Sequence, residues 1–380
     1  MQSLRGNFSV AVLISILLAA IAFSYEPLPA PSFTRVNFLR TAKIDKMTLE
    51  KALELSNRHA SIFLAPFDAV MLHVEIDGVP KDIFIISDIS QRRLTIWLCS
   101  VPDVSGSREI EAIKAYYGQE GDSLKAPSGL DTNAKNRLFI AGQDFIYLAD
   151  RGNGRIIEYT YYPDISGGQL VVNRILGQGQ LHYPMDVAIS AYGKQTINDA
   201  DLYVVDAGSF NGDGALARIS LAGDIEGIWQ TFYFAQSTVE AIHLIDPVSV
   251  ACYPDTAENN SLIYIAEDDN EQFYCLKSTS DETPEFCRVR PLSCNSLNCK
   301  IGGLAVDDFG RIYAANTATG QIDIYGPYFN PQYDSFGKPG TAIDELNYPK
   351  RLIIDTYHKP AEALMIECYD RFSGFQSFLV

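Results

Sequence analysis

The chain has 380 residues, with 47 Asp and Glu against 30 Lys and Arg, a net charge of −17 and a pI near 4.7. That balance excludes a nucleic-acid or anionic-membrane role, which needs clustered Lys and Arg to replace counterions. With 47 % hydrophobic and 20 % charged residues the chain is too apolar for disorder and long enough to bury a core, and its 21 Tyr and 20 Phe against 2 Trp favour pleated sheet.

Residues 1–24 read MQSLRGNFSVAVLISILLAAIAFS. Arg5 precedes an apolar stretch from Val10 to Phe23, and Ala22 and Ser24 supply small residues for cleavage before Tyr25. This is the pattern of a secretory signal peptide. At 14 residues this stretch falls short of the roughly 20 that cross a bilayer. The mature chain is expected to be secreted, extracellular or periplasmic, with no membrane span. Residues 25–65 follow as a lead-in. Phe33–Arg40, FTRVNFLR, reads as a strand. Residues 46–58 carry Met47, Leu49, Ala52 and Leu53 at helical spacing behind an N-cap at Asp45, which predicts a short helix.

From residue 66 to residue 380 one unit recurs six times. A Pro and two variable residues lead into an apolar strand, then a turn, a second strand ending in an acid or amide, and a third strand. The copies start at Pro66, Pro127, Pro184, Pro247, Ile301 and Pro349, a period of about 57 residues. The second and third strands run from Ile83, Ile146, Leu202, Ile263, Ile312 and, more loosely, Ile366. Units of this length that cannot bury both faces alone must stack. Four-stranded blades set radially around a channel satisfy the pattern, whereas a solenoid would need polar capping units. The chain stops after the third strand of the last copy, so FTRVNFLR is expected to pair with residues 375–380 and close the ring, removing an exposed edge.

The stretches FGKPGTAIDELNYPKRLIID (from Phe336), ADRGNGRIIEY (from Ala149), ILGQGQLHYPMDVAIS (from Ile175) and YYGQEGDSLKAPSGLD (from Tyr116) resemble NHL repeats. In that family a glycine-containing lead-in, an aromatic–Pro pair and an inner strand precede a D-x-x-N-x-R-I turn. The resemblance covers residues 66–380 and implies an all-β, six-bladed β-propeller of NHL type. The repeat starting at Ile301 lacks the Pro. The NHL fold includes the lyase that completes peptide α-amidation, whose pattern sets His beside the inner-strand Pro. Here those positions hold Phe67, Ser128, Met185, Val248, Gly302 and Lys350, so that activity is not expected.

The sequence has no GxSxG elbow, HExxH pair, phosphate-binding Gly loop or EF-hand loop. The five histidines, His59, His73, His182, His243 and His358, fall at unrelated phases and read as surface or packing residues. The repeat itself supplies a better probe. Two residues after each start stand Asp68, Gly129, Asp186, Ser249, Gly303 and Arg351, where side chains converge on a channel. Asp68, Asp186 and Ser249 are candidate oxygen ligands for Ca2+. The plainer alternative is an ion pair between Asp68 of the first repeat and Arg351 of the last. A second set, Asp88, Asp150, Asp206, Glu267, Asn316 and Asp370, ends the second strands and is expected to accept hydrogen bonds from the following turns.

The fourth repeat is the least regular. From Asp255 to Glu285 it has nine acids and one base, a local charge of −8. Glu267, Asp268, Asp269 and Glu271 form its densest patch, read as a solvated turn or a cation site. Five of the seven cysteines, Cys252, Cys275, Cys287, Cys294 and Cys299, fall here without paired CxxC knuckles. Local disulfides among Cys287, Cys294 and Cys299 are expected. The functional expectation is a propeller that binds a protein or glycan through Tyr-rich loops such as YTYYPDISGG (from Tyr159) and YGPYFNPQYDSFG (from Tyr325). The alternative is a metal-dependent hydrolase or lyase at the channel mouth.

Overall fold

A computed structural model describes residues 34–37 and 65–379, apart from 103–107, 121, 134–143, 191–199, 209–212, 234–240, 256–259, 269–271, 279–283, 292–299, 308, 330–331, 340–345, 347, 356–361 and 368–373. The expected signal peptide (1–24) and helix (46–58) lie outside the described residues.

The protein is an all-β β-propeller. Its described strands form six antiparallel four-stranded sheets and two short two-stranded ribbons. The first sheet comprises Pro66–Ile76, Val79–Asp88, Arg93–Ser100 and Ile110–Tyr116. The second comprises Pro127–Thr132, Phe145–Asp150, Arg155–Tyr162 and Gln169–Leu176. The third comprises Pro184–Ser190, Asp201–Asp206, Ala215–Ser220 and Ile225–Trp229. The fourth comprises Pro247–Asp255, Asn260–Glu267, Gln272–Ser278 and Glu285–Pro291. The fifth comprises Ile301–Val306, Ile312–Asn316, Gln321–Tyr325 and Gln332–Phe336. The sixth comprises Pro349–Asp355, Glu362–Glu367 and Gly374–Leu379, with Thr34–Asn37 as its outermost strand. That strand pairs Thr34 with Leu379 and Asn37 with Ser377.

Strand periodicity explains the packing. Alternate side chains of one strand face opposite sides of its sheet, and both sides are covered. Val70, Leu72, Ile83, Ile85, Leu94 and Ile96 of the first sheet pack with Leu130, Ile146 and Leu148 of the second. Their neighbours Ala69, Met71, Phe84, Ile86 and Trp97 pack instead with Ile353 of the sixth. Comparable clusters join the second sheet to the third, the third to the fourth, the fourth to the fifth and the fifth to the sixth. A sheet covered on both faces reads as an unbroken apolar run, as in IFII at 83–86. Each fully buried side chain of this size stabilises by about 1.5–3 kcal/mol.

Register is set by the residue that opens each first strand. Pro66 faces Asp88, Pro127 Asp150, Pro184 Asp206, Pro247 Glu267, Ile301 Asn316 and Pro349 Glu367. In the last pair the sequence reading chose Asp370, three residues too late. The second strand is EALMIE, which ends at Glu367, and the acid at 370 falls outside the described residues. Asp88, Asp150, Asp206 and Glu267 of this set are buried acceptors, and they serve more than the following turn. Asp206 accepts the N–H of Gly208 at 2.8 Å, but also those of His182 (2.7 Å) and Tyr183 (2.8 Å), which lead into the first strand of the same sheet. Asp88 does the same for Gln91 and Ala65.

Asp206→Ala strands three N–H groups, and an unsatisfied buried donor costs about 1–3 kcal/mol. The expected loss is about 2 kcal/mol in urea unfolding, with Asp206→Asn losing less because it keeps one carbonyl acceptor.

Candidate functional site: the central channel

Six first strands line the channel, and each has a bulge at its start. The register shifts between Pro66 and Ala69, Pro127 and Leu130, Pro184 and Asp186, Pro247 and Ser249, Ile301 and Gly303, and Pro349 and Arg351. A bulge switches the phase of its strand, and the series Asp68, Gly129, Asp186, Ser249, Gly303 and Arg351 falls within it or immediately after it. The structure brings four of these together as a buried polar layer. Arg351 Nη1 donates to Asp186 Oδ2 (2.7 Å) and to Ser249 Oγ (2.5 Å), and Nη2 donates to the Val248 carbonyl (2.8 Å). Asp186 Oδ2 also accepts from Ser249 Oγ (2.8 Å) and Val250 N (2.9 Å), while Oδ1 holds Val187 N (3.0 Å). Phe67 lies over the guanidinium, its ring centre 4.7 Å away, and packs with the cluster containing Met185 and Val248.

The two glycines make the crossing possible. A Cβ on Gly129 would stand 2.1 Å from Asp186 Oδ1, and one on Gly303 2.7 Å from Arg351 Cδ. Arg351 therefore pairs with Asp186 from the third sheet. The pairing with Asp68 expected from adjacency in the ring is not made, because the guanidinium reaches across the channel instead. Asp68 is held by backbone, Oδ1 by Ala69 N (2.9 Å) and Oδ2 by Leu130 N of the second sheet (2.8 Å). Burial pushes its carboxyl up to about 7, with Arg351 pulling against that and Asp186 adding to it.

A cavity of about 880 Å3, counting its solvent-open part, runs along the channel from Asp68, Asp186 and Arg351 to His73, Thr132 and Asp355. Its far end holds a cluster the sequence reading missed. His73 Nδ1 meets Asp82 Oδ1 at 2.7 Å and Nε2 meets Asp355 Oδ1 at 3.3 Å. Arg108 bridges the same two carboxylates, from Nε at 2.7 Å and Nη2 at 3.3 Å. Asp82 and Asp355 are buried, so the cluster fastens the first sheet to the sixth. Burial opposes a charge on His73, but the hydrogen bonds to Asp355 and Asp82 and their charges outweigh it and raise it to about 9. A nearby carboxyl, Asp144, is raised by burial and drawn down by His73. The alternation HVEID at 73–77 marks His73 as a strand residue, but nothing local reveals a partner 282 positions away.

The acids that close three first strands do three different jobs. Asp307 accepts from Phe309 N, Arg311 N and Arg311 Nε within its own turn. Asp131 reaches Ile189 N of the next sheet at 2.8 Å, and Asp355 joins the His73 cluster.

The fourth-sheet patch is not one solvated turn. Glu267 is fully buried, accepting from Ile245 N and from the Tyr274 hydroxyl at 2.8 Å. Asp268 is half-buried and pairs with Lys300 at 2.9 Å. Asp269 and Glu271 lie outside the described residues. Cys287 is half-buried with its Sγ 3.9 Å from the Glu285 carbonyl, and no disulfide joins the described cysteines to one another. Cys294 and Cys299 lie outside the described residues.

Asp68, Asp186 and Ser249 thus meet, but their oxygens already serve Arg351 and backbone N–H groups. Among the described residues no group of three or more His, Cys, Asp or Glu is arranged to hold a metal ion. The residues present do not fit a resident Ca2+, which takes six to eight oxygens.

No family model matches the chain and no curated protein matches it. Solved structures do. The PQQ-bound aldose sugar dehydrogenase of Streptomyces coelicolor is similar with a TM-score of 0.52 at 10 % identity, over 92 % of this chain and 99 % of that one. The calcium-binding protein regucalcin of Agrobacterium tumefaciens aligns with a TM-score of 0.49 at 12 % identity, over 85 % of this chain and 93 % of that one. At such identity the likeness is one of β-propeller fold alone.

Two outcomes follow from the channel geometry. Breaking a buried pair by removing one partner costs about 3–5 kcal/mol, so Arg351→Met is expected to lose that much in urea unfolding. The double variant Arg351→Met/Asp186→Asn is expected to lose clearly less than the sum of the single losses, which a double-mutant cycle reads. For His73 the folded pKa lies above the ordinary 6.5, so its contribution is full below pH 6.5 and is lost as pH rises through about 9. The unfolding midpoint should therefore fall between about pH 6.5 and pH 9, and this fall should shrink in His73→Gln.

Proposed function

We propose that the chain is a secreted, six-bladed propeller of NHL type, its ring closed by Thr34–Asn37, that works as a protein-binding module. The six repeats, the six four-stranded sheets and the pairing of Thr34–Asn37 with Gly374–Leu379 support the architecture. The apolar segment before Tyr25 supports secretion. Among the described residues no helix is long and apolar enough to cross a membrane.

One observation carries the binding reading. All six first strands start at the same end of the channel, the end at which Arg351 and Phe67 lie. The residues leading into three of them expose large apolar side chains there: Tyr183 at 40 %, Ile245 at 38 % and Tyr348 at 61 %. Tyr348 also has a left-handed backbone, φ 52°, which costs a residue other than Gly about 1–2 kcal/mol. Ala126 adopts the same conformation at the matching place in the second sheet. Large apolar groups gathered on one face around the channel suit a protein surface, with Tyr hydroxyls at the wet rim.

The competing reading is a Ca2+-dependent hydrolase or lyase using Asp68 and Asp186. It requires the ion to displace Arg351 from Asp186.

The test pans a random-peptide display library and a glycan array against the wild type and against Tyr183→Ser/Tyr348→Ser. Peptides enriched on the wild type and at least tenfold weaker on the double variant, with its thermal midpoint unchanged, are expected. The proposal fails if no peptide is enriched, if enrichment survives the double variant, or if glycans alone bind. It also fails if the dialysed protein carries one calcium per chain that Asp186→Asn removes.

A further inference from the structure

Asp68 is a buried carboxylate of the channel with no cationic side chain paired to it among the described residues. Asp68 is 6 % exposed and faces the cavity. Among the described residues no Lys, Arg or His is close enough to pair with it, and Arg351, which lines the same cavity, is paired with Asp186. Its two carboxylate oxygens accept one backbone N–H each, although a carboxylate offers about four acceptor sites. Asp68, Asp186 and Arg351 together leave one uncompensated negative charge, and a buried charge without a partner is costly. Burial accordingly raises the Asp68 carboxyl towards neutrality. The apolar part of the wall comes from Leu130, Val187, Val250, Leu304 and Leu352 of the five other sheets, between the Asp186–Arg351 pair and the polar groups around His73.

We propose that the channel is a binding site for a small organic ammonium, whose cationic head pairs with Asp68 and whose apolar body lies along this wall. The chemistry selects that class over the others. A hard metal ion needs several free oxygens, and those of Asp186 and Ser249 are occupied. An anion would need Arg351, whose Nη1 and Nη2 are already donated. An ammonium needs one carboxylate at the end of an apolar funnel, and sites of this kind are mostly apolar with a few placed polar groups. The inference does not depend on the protein-binding surface proposed above, since it concerns the cavity inside the channel.

Titration calorimetry of the full mature chain tests it with hexylammonium chloride, hexan-1-ol and CaCl2 as probes. The variants are Asp68→Asn, which is nearly isosteric, and Ala305→Phe, which fills the channel at a partly exposed lining position. Hexylammonium is expected to bind the wild type at least tenfold tighter than hexanol, and to weaken at least tenfold in Asp68→Asn and in Ala305→Phe. Equal binding of amine and alcohol, binding unaltered by either variant, or no binding of hexylammonium overturns the proposal. So does CaCl2 binding more tightly than hexylammonium with loss in Asp68→Asn, which marks a metal site. Should Asp68→Asn fail to fold by circular dichroism, the amine–alcohol ratio on the wild type and the Ala305→Phe result decide.

Discussion

Arg351 can be buried in the channel only because Asp186, Ser249 and the Val248 carbonyl accept hydrogen bonds from its guanidinium. That requirement propagates. The guanidinium must cross from the sixth sheet to the third and fourth, so the second and fifth sheets present glycine where their side chains would stand in the path. Each first strand must also carry a bulge, since a regular pleat would turn the same position into the packing between sheets. One ion pair thus ties together residues from sheets spread over nearly the whole chain.

The far end of the channel repeats the device with different chemistry. His73 and Arg108 share two buried carboxylates, Asp82 and Asp355, that come from the first and last sheets. The clasp sits on the seam between the earliest and latest parts of the chain, where loop closure is entropically most demanding. The apolar packing at that seam includes Ile353 against Met71 and Trp97. Charge pairs add direction to that packing, because two carboxylates and two cations satisfy one another in only a few arrangements.

Much of the fold was legible because the repeat is written in local chemistry. Proline cannot donate to a ladder and so marks a strand start, and the acid or amide ending the second strand marks its partner. Proline placed five of the six first-strand starts, and the phase of the repeat placed the remaining one, at Ile301, without it. The sixth repeat misled where two acids, Glu367 and Asp370, follow one apolar run and only packing chooses between them. The polar layer was half legible. Phase in the repeat identified Asp68, Asp186, Ser249 and Arg351 as neighbours, but their partners depend on how far a guanidinium reaches across a ring, which no local pattern encodes. His73 was illegible for the same reason, because its partner Asp355 comes from the far end of the sequence. Glu267 reads as part of a solvated acidic run, yet its strand register turns it inward while Asp268 points out.

The acidity of the chain has a related explanation. A charge of −17 suggests a surface field, or an acidic patch awaiting a cation. Twelve carboxylates among the described residues are buried, against five buried arginines, so a substantial part of the acid excess lies inside. Those carboxylates work as acceptors for N–H groups that a propeller leaves unpaired at its bulges and turns: Asp88 for Ala65 and Gln91, Asp206 for His182, Tyr183 and Gly208, Asp131 for Ile189. A carboxylate does this better than a neutral amide because charge-assisted hydrogen bonds are about twice as strong. Backbone N–H donors carry no formal charge, so the structure accumulates acids without matching bases. Asp68 is the extreme of that trend. It bonds to backbone like the others and faces the channel cavity, where the ammonium proposed above would supply its counter-charge.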